Sequence, residues 1–415
     1  MQALDRMTFG PRPGDVDSIT RIGVKRWTDA QLHPERINDA ATDRLLARFP
    51  AESMHTADLA RVYVLPQELR AQRTRYPSPP DSAQRHADSV ALKQADAASS
   101  KILTDLQAAR VARAVTSRRQ LLEVMTDFWE NHFSIYSGKG PERYMLVDFD
   151  RTVIRPNALG KFRDLLGAVA HSPAMLYYLD NWQSGRRGHG LNENYGRELL
   201  ELHTLGVDGG YTQQDVIDVA RAFTGWTIED PEHVGRFEFR PEWHDAGPKS
   251  VLGHSLPANQ GLADGETVLD IVSRHPATAK YIATKLARRF VSDTPPAGLV
   301  ARATATFMRT DGDIREVLGT ILTSHEFYAA YHTKVKSPFE FVVSAQRALN
   351  APGDTTGRSA QAVATLGEPI FGHVAPNGYP ETGDEWMNAG ALLNRVKFVL
   401  GLKAPALETP EFQRR

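Results

Sequence analysis

The chain has 415 residues, is 41% hydrophobic, and sets 49 Lys and Arg against 50 Asp and Glu for a formal net charge of -1. It can therefore bury a sizeable core, and it lacks the basic excess that a nucleic-acid partner demands. Having no cysteine, it offers no disulfide, thiolate nucleophile, cysteine zinc site or iron–sulfur cluster, and no apolar run reaches the length of a membrane span.

Taken in chain order, the pattern is a succession of amphipathic helices divided by Pro and Gly, without strand–helix alternation or internal repeats. The expected fold is mainly α, a multi-helix globular unit with a small β-hairpin insertion around residues 235–255. The opening MQALDRMTFGPRPGD has no basic stretch followed by an apolar one, so no signal peptide is expected in this chain. Helices are predicted over Asp15–Leu32, Asp39–Phe49 and Thr56–Arg73, the last interrupted at Pro66, and YPSPP at Tyr76–Pro80 reads as a stiff linker. Residues 1–80 then form an N-terminal helical segment with its linker, and residues 81–415 the main helical domain. Asp81–Thr116, rich in Ala, Gln and charge, reads as an exposed or mobile helix.

Ser117–Phe133 is the next predicted helix. In its LLEVMTDFWENHF run, His132 falls at the centre of an apolar face with Leu121, Met125 and Phe128, which predicts a buried histidine with one hydrogen-bond partner. Glu123, Asp127 and Glu130 point away from that face. Arg110, Arg113, Arg118 and Arg119, and later Lys280, Lys285, Arg288 and Arg289, recur at helical spacing and read as solvated faces. Helices follow at Asn157–Ala170 and Pro173–Gln183, with SGRRGHG at Ser184–Gly190 as a mobile loop.

The stretch NENYGRELLELHTLGVDGGYTQQDV, Asn192–Val216, carries the densest chemistry. On a helix over Asn192–Leu205, Glu193, Arg197 and Glu201 form a salt-bridge stripe, whereas Glu198 falls in the leucine sector between Leu202 and Leu205. Burial there would raise its pKa and suit it to general-acid work. His203, on the flank of the apolar face, reads as a satisfied core histidine. DGGYTQQD at Asp208–Asp215 resembles half a calcium loop, but Thr204 and Gly206 occupy the earlier ligand positions, and a capping box of Thr212 with Asp215 explains the residues better. A helix over Gln213–Trp226 should pack tightly against its predecessor.

Beyond it, RFEFR alternates with period two and could pair with SVLGHS, while WHDAGPK places His244, Asp245 and Lys249 on a turn. Helices resume at Asp264–Arg274, Pro276–Val291, Pro296–Arg309, Asp313–Tyr328, Ser337–Asn350, Arg358–Phe371 and Ala389–Leu402. The loop His373–Asn388, rich in Gly, Pro and aromatics, has the composition of a site-lining segment. No HExxH, GxSxG, Walker loop or dinucleotide fingerprint occurs, so no metal site and no cofactor is expected.

The segments RMTFGPRPGD, FWENHF, VIRPNALGKFRDLLGAVAHSPAMLYYLDN, NENYGRELLELHTLGVDGGYTQQDVIDVARAFTGW, FEFRPEWHDAGPKSVLG and VKSPFEFVVSAQRAL together resemble a mostly bacterial family called domain of unknown function 1800. The likeness implies one family-length unit. It also implies an exported protein, periplasmic or secreted, with a protein of the domain of unknown function 1501 family as a candidate partner. Gly196 stands where the family pattern has alanine, and Asn377-Gly378-Tyr379-Pro380 replaces Gly-Trp-Pro.

The functional expectation is a hydrolase acting on the glycosidic bonds of a polysaccharide, with Glu198 as general acid and Asp245 or Glu201 as the second carboxylate. Trp129, Trp226, Tyr379 and Trp386 are the candidate sugar-stacking faces, and His132, His203 and His244 the candidate polar contacts. Two rival readings stand beside it: a binding or assembly protein in which the same residues knit helices together, and a metal-dependent enzyme.

Overall fold

The computed structural model describes residues 1–79, 82–404, 407 and 409–415. It is 62% helical, and its strands are confined to two antiparallel two-stranded sheets, so the chain is mainly α. The helices form for the reasons their patterns suggest. In Pro276–Phe290 the residues Ala279, Ile282, Ala283, Leu286, Ala287 and Phe290 make one buried stripe, Pro276 occupies the first turn, and the His275 ring accepts the Ala277 N–H at 3.2 Å. This helix packs on Ala297–Arg309, which in turn packs on Ile314–Leu322. One contiguous set of buried apolar side chains runs from Ala3 to Leu407.

The N-terminal segment is tied to elements far along the chain. From the helix Gln2–Met7, the Gln2 side chain donates to the Phe327 carbonyl at 2.7 Å and Arg6 to that of Ala330 at 2.8 Å, while Arg347 donates back to the Gly10 carbonyl at 2.6 Å.

Several boundaries differ from the sequence expectation for identifiable reasons. Gly23, at φ 90°, splits Asp15–Leu32 into Asp15–Ile22 and Val24–Leu32. Pro66 does not interrupt its helix, which runs unbroken over Thr56–Arg75 with Pro66 buried, because packing along Ala83–Thr116 outweighs one lost backbone bond. Ala83–Thr116 itself is exposed only in its first half; from Ile102 to Val115 it is driven through the core, so the reading of a mobile helix is corrected. Pro80 and Asp81, at the predicted linker and domain boundary, lie outside the described residues. Glu142–Asp148, followed by a π-helical turn over Phe149–Ile154, fills a region for which no helix was expected.

The β insertion is also rearranged. Trp226 does not end a helix: Gln213–Ala222 stops at Phe223, and Trp226–Glu229 (β1) pairs with Arg236–Phe239 (β2), joining Trp226 to Phe239 and Glu229 to Arg236. The SVLGHS segment makes its own hairpin, Lys249–Val251 (β3) with His254–Leu256 (β4), around Gly253 at φ 81°. Each strand thus pairs with its sequence neighbour across a turn, the arrangement with the smallest closure cost.

Candidate functional site

The helix carrying Glu198 is α-helical only over Asn194–Glu198. It then widens into a π-turn, Leu199–Thr204, in which Leu205 and Gly206 both donate to the Leu200 carbonyl at 2.9 and 3.2 Å. The extra residue in the turn shifts the facing of its neighbours, so Leu202 comes out half-buried and Glu198 half-buried rather than enclosed. Partial burial, helped by Glu201, still raises the Glu198 pKa, and no hydrogen-bond or ion-pair partner reaches its carboxylate among the described residues. Glu201 accepts from the Tyr211 hydroxyl at 3.4 Å.

Asp245 does not join Glu198. The Arg221 guanidinium grips it in two-pronged fashion at 2.8 and 3.1 Å, a contact that lowers its pKa, and it also accepts the Gly247 N–H at 2.9 Å, with Lys249 at 4.0 Å. The charges acting on Glu198 are those of Glu201 and Arg197, so the two carboxylates answer to different surroundings. His244 is sealed in a separate cluster: its ring meets the Thr224 carbonyl at 2.9 Å and Asp264 at 3.0 Å, and Asp264 also accepts from the wholly buried Lys249 at 2.7 Å. Asp264, absent from the sequence-based candidates, holds the β3 hairpin to the first turn of Leu262–Ser273.

His132 is buried as expected, with one ring nitrogen 3.1 Å from the His203 carbonyl, and burial drives its pKa well below the ordinary value. His203 is buried too, and among the described residues neither ring nitrogen has a hydrogen-bond partner; desolvation lowers its pKa to about 3. Trp129 and Trp226 are fully enclosed, the first donating to the Ala158 carbonyl at 3.0 Å and the second packed against His171, Phe223 and Phe237. Neither leaves a face for a sugar.

The site that the structure does assemble lies on the other side of the Gln120–His132 helix. A narrow cleft of about 80 Å³ is bounded by that helix, by Pro276–Phe290, by Pro338–Ala348 and by the loop through Glu368, Tyr379 and Trp386. Asp127, Glu130 and Asn131 reach it from one stripe at i, i+3 and i+4, and Ser134 from just past the helix end. The acidic stripe faces arginines rather than water. Arg110 lies between Asp127, at 3.3 Å, and Glu130; Asp127 also meets Arg289 at 3.0 Å; Arg289 and Arg415 each meet Glu340 at 2.8 Å. The floor of the cleft is therefore an alternation of guanidinium and carboxylate. Arg110 is buried and Arg113 and Arg289 half-buried in such pairs, which corrects their reading as solvated faces.

Within this floor the carboxyl groups divide into two kinds. Burial pulls Glu340 upward, but Arg415 and Arg289 outweigh it and hold its pKa below the usual value. Glu340 also closes a capping box, accepting the Ser337 N–H at 3.0 Å. Glu368 goes the other way: desolvation, reinforced by the negative charge of Asp127, pushes it up to about 8, although it accepts the Phe339 N–H at 2.7 Å. It holds its proton at neutral pH. Glu381 also lines the cleft, ion-paired with Lys285 at 2.9 Å, and among the described residues neither of its oxygens accepts a well-aligned hydrogen bond.

The wall beside Glu381 is set by one asparagine. Asn131 donates to the Tyr379 carbonyl at 2.9 Å and accepts the Tyr379 N–H at 2.7 Å, pairing with the loop as a strand would. Gly378, at φ 73°, lies so close that a Cβ would come within 2.2 Å of the Asn131 carbonyl oxygen. The Tyr379 hydroxyl donates to the Pro369 carbonyl at 2.8 Å and the Trp386 indole to that of Pro380 at 3.1 Å, so both rings are fixed against the cleft.

A family profile described as "Protein of unknown function (DUF1800)" matches residues 2–413, nearly the whole chain. The chain belongs to this family. No curated protein and no solved structure matches it.

For this DUF1800 protein, Tyr379 and Trp386 are the sequence-based candidates that the structure brings into the cleft; Glu198, Glu201 and Asp245 are not among its lining residues. Asp127, Glu340, Glu368 and Glu381 were missed as site residues. A signal existed for Glu381, which sits inside the aromatic loop between Tyr379 and Trp386. Among the described residues, no group of three or more His, Asp or Glu is arranged to hold a metal ion.

Proposed function

We propose that this chain is a hydrolase that cleaves glycosidic bonds of a polysaccharide in the cleft, outside the cytoplasm, with Glu368 as general acid and Glu381 as the second carboxylate. One observation carries the reading: a carboxyl whose pKa is pushed up to about 8 lines the same cleft as a second carboxyl, Glu381, that is ion-paired with Lys285. Glycosidic cleavage needs that division of labour, one group protonating the leaving oxygen and the other attacking the anomeric carbon or activating water. Asp127 and Glu340 are less suited to either role because arginines occupy them on both sides. Tyr379, half-buried at the cleft, supplies an aromatic face of the kind that packs on sugar rings.

The experiment is to incubate the purified protein with a panel of bacterial and plant polysaccharides and measure new reducing ends. Glu368→Gln and Glu381→Gln should each lower the rate by roughly 10²-fold or more while the fold persists. Undiminished cleavage by both variants, or no cleavage of any member of the panel, counts against the proposal and in favour of a binding protein.

A further inference from the structure

The last helix, Ala389–Leu402, is held by one face and bare on the other. Arg395 is buried and donates to the Lys336 carbonyl at 2.7 Å, and Val399 is buried one turn further on. On the outer face Leu393, Val396 and Leu400 line up at i, i+3 and i+7 with Leu392 at the edge, and all four are exposed, Leu400 by 57%. Met387, just before the helix, is exposed as well. A continuous apolar stripe of this kind marks a surface that another molecule covers.

The charges around the stripe are sorted by end. Asp384 and Glu385, in the turn that leads into the helix, are exposed at one end; Lys403, at its close, is exposed at the other, and exposed Lys397 lies on the flank. Acid, apolar middle and base is a pattern that a half-turn maps onto its own complement, so two such faces laid antiparallel match each other. One register serves both the charges and the apolar middle. Asn394 lies midway in sequence between Glu385 and Lys403, and also midway between Leu392 and Val396. A two-fold axis there sets Glu385 against Lys403 and Leu392 against Val396, brings the two Leu393 side chains together near the axis, and lays Leu400 beside Met387 of the other copy. A lipid surface does not call for this arrangement, since the two acids offset the two lysines, and no helix among the described residues is long and apolar enough to cross a membrane.

We propose that two copies of this chain associate through the outer faces of Ala389–Leu402, the helices antiparallel about a two-fold axis at Asn394, with Leu393, Val396 and Leu400 covered between them and Glu385 paired with Lys403 at each end. The apolar middle supplies the attraction. The end pairs fix the direction, because parallel helices would bring acid to acid and lysine to lysine. Neither Glu368 nor Glu381 takes part, so the contact stands apart from the chemistry in the cleft.

Sedimentation velocity of the full chain over a concentration series tests it, with circular dichroism to show that each variant is folded. The wild type should form a dimer, and Leu393→Ser/Leu400→Ser should weaken it roughly tenfold or more. Glu385→Lys and Lys403→Glu should each weaken the dimer, and the two together in one chain should restore it, because the swap exchanges the ends and keeps the pairing. Since the chain has no cysteine, Leu393→Cys introduces a single thiol near the axis and should give a covalent dimer on mild oxidation. A wild type that stays monomeric at every concentration overturns the proposal, and flotation of that monomer with phosphatidylglycerol vesicles would assign the stripe to lipid instead. A dimer that Leu393→Ser/Leu400→Ser leaves intact also overturns it by placing the interface elsewhere, and a charge swap that fails to restore association overturns the antiparallel pairing.

Discussion

Replacing Glu368 by Gln should make the protein more stable, and more so the higher the pH. The folded-state pKa of Glu368, about 8, lies above the 4.5 of an unperturbed glutamate, so the folded state binds the proton more tightly than the unfolded chain does. Below 4.5 both states are protonated and nothing is lost. Between 4.5 and 8 only the unfolded chain releases its proton, and stability falls by about 1.4 kcal/mol per pH unit. Above 8 the loss is complete. Gln keeps the shape and can still accept the Phe339 N–H, but carries no charge to desolvate. Its advantage should be under about 1 kcal/mol at pH 5 and should approach about 3 kcal/mol at pH 7. Urea unfolding of both proteins at pH 5, 6, 7 and 8 measures the difference directly. A stability difference that does not grow with pH, or a variant less stable than wild type at pH 7, would refute the placement of a protonated carboxyl in this cleft. Gained stability together with lost cleavage is the signature of a site held against its own folding preference.

His203→Leu should blunt acid sensitivity. The folded value of about 3 lies below the unfolded 6.5, so stability drains away as pH falls from 6.5 toward 3, by about 2 kcal/mol at pH 5; identical acid profiles for variant and wild type would exclude this. Gly378→Ala should cost about 1–3 kcal/mol, since it combines a strained φ of 73° with a Cβ against the Asn131 carbonyl, and should lower cleavage by displacing Tyr379 and Glu381. Unchanged thermal melting would show that the loop is not clamped there. Glu198→Gln should move stability by no more than about 0.5 kcal/mol and leave cleavage intact, because no partner holds that half-buried carboxylate; a large loss of activity would return the site to the Asn194–Glu198 helix.

Periodicity exposed the helices and the buried histidine, because apolar spacing directly encodes which face is covered. It could not say what the polar face meets. Asp127, Glu130 and Asn131 show the same spacing whether they face water or Arg110 and Arg289, and the arginines arrive from segments distant in sequence. The same blindness turned Arg110 and Arg113 into surface residues. Glu198 failed for a local reason: helical angles assume α geometry throughout, and the π-turn at Leu199–Thr204 breaks that assumption one residue later. The Thr212 and Asp215 capping box was legible because all its atoms lie within four residues.

The bonds that tie Gln2 to Phe327, Arg6 to Ala330 and Arg347 to Gly10 span sequence separations of 325, 324 and 337 residues. Contacts of that range are reached late in folding, after the entropy of a very long loop has been overcome. On a growing chain, the helix Gln2–Met7 can meet Val24–Leu32 and Gln120–His132 early, but its bonds to Phe327 and Ala330 cannot close until those residues have been synthesised. Throughout that interval the face that Phe327 and Ala330 will cover is open to chaperones and to misassembly.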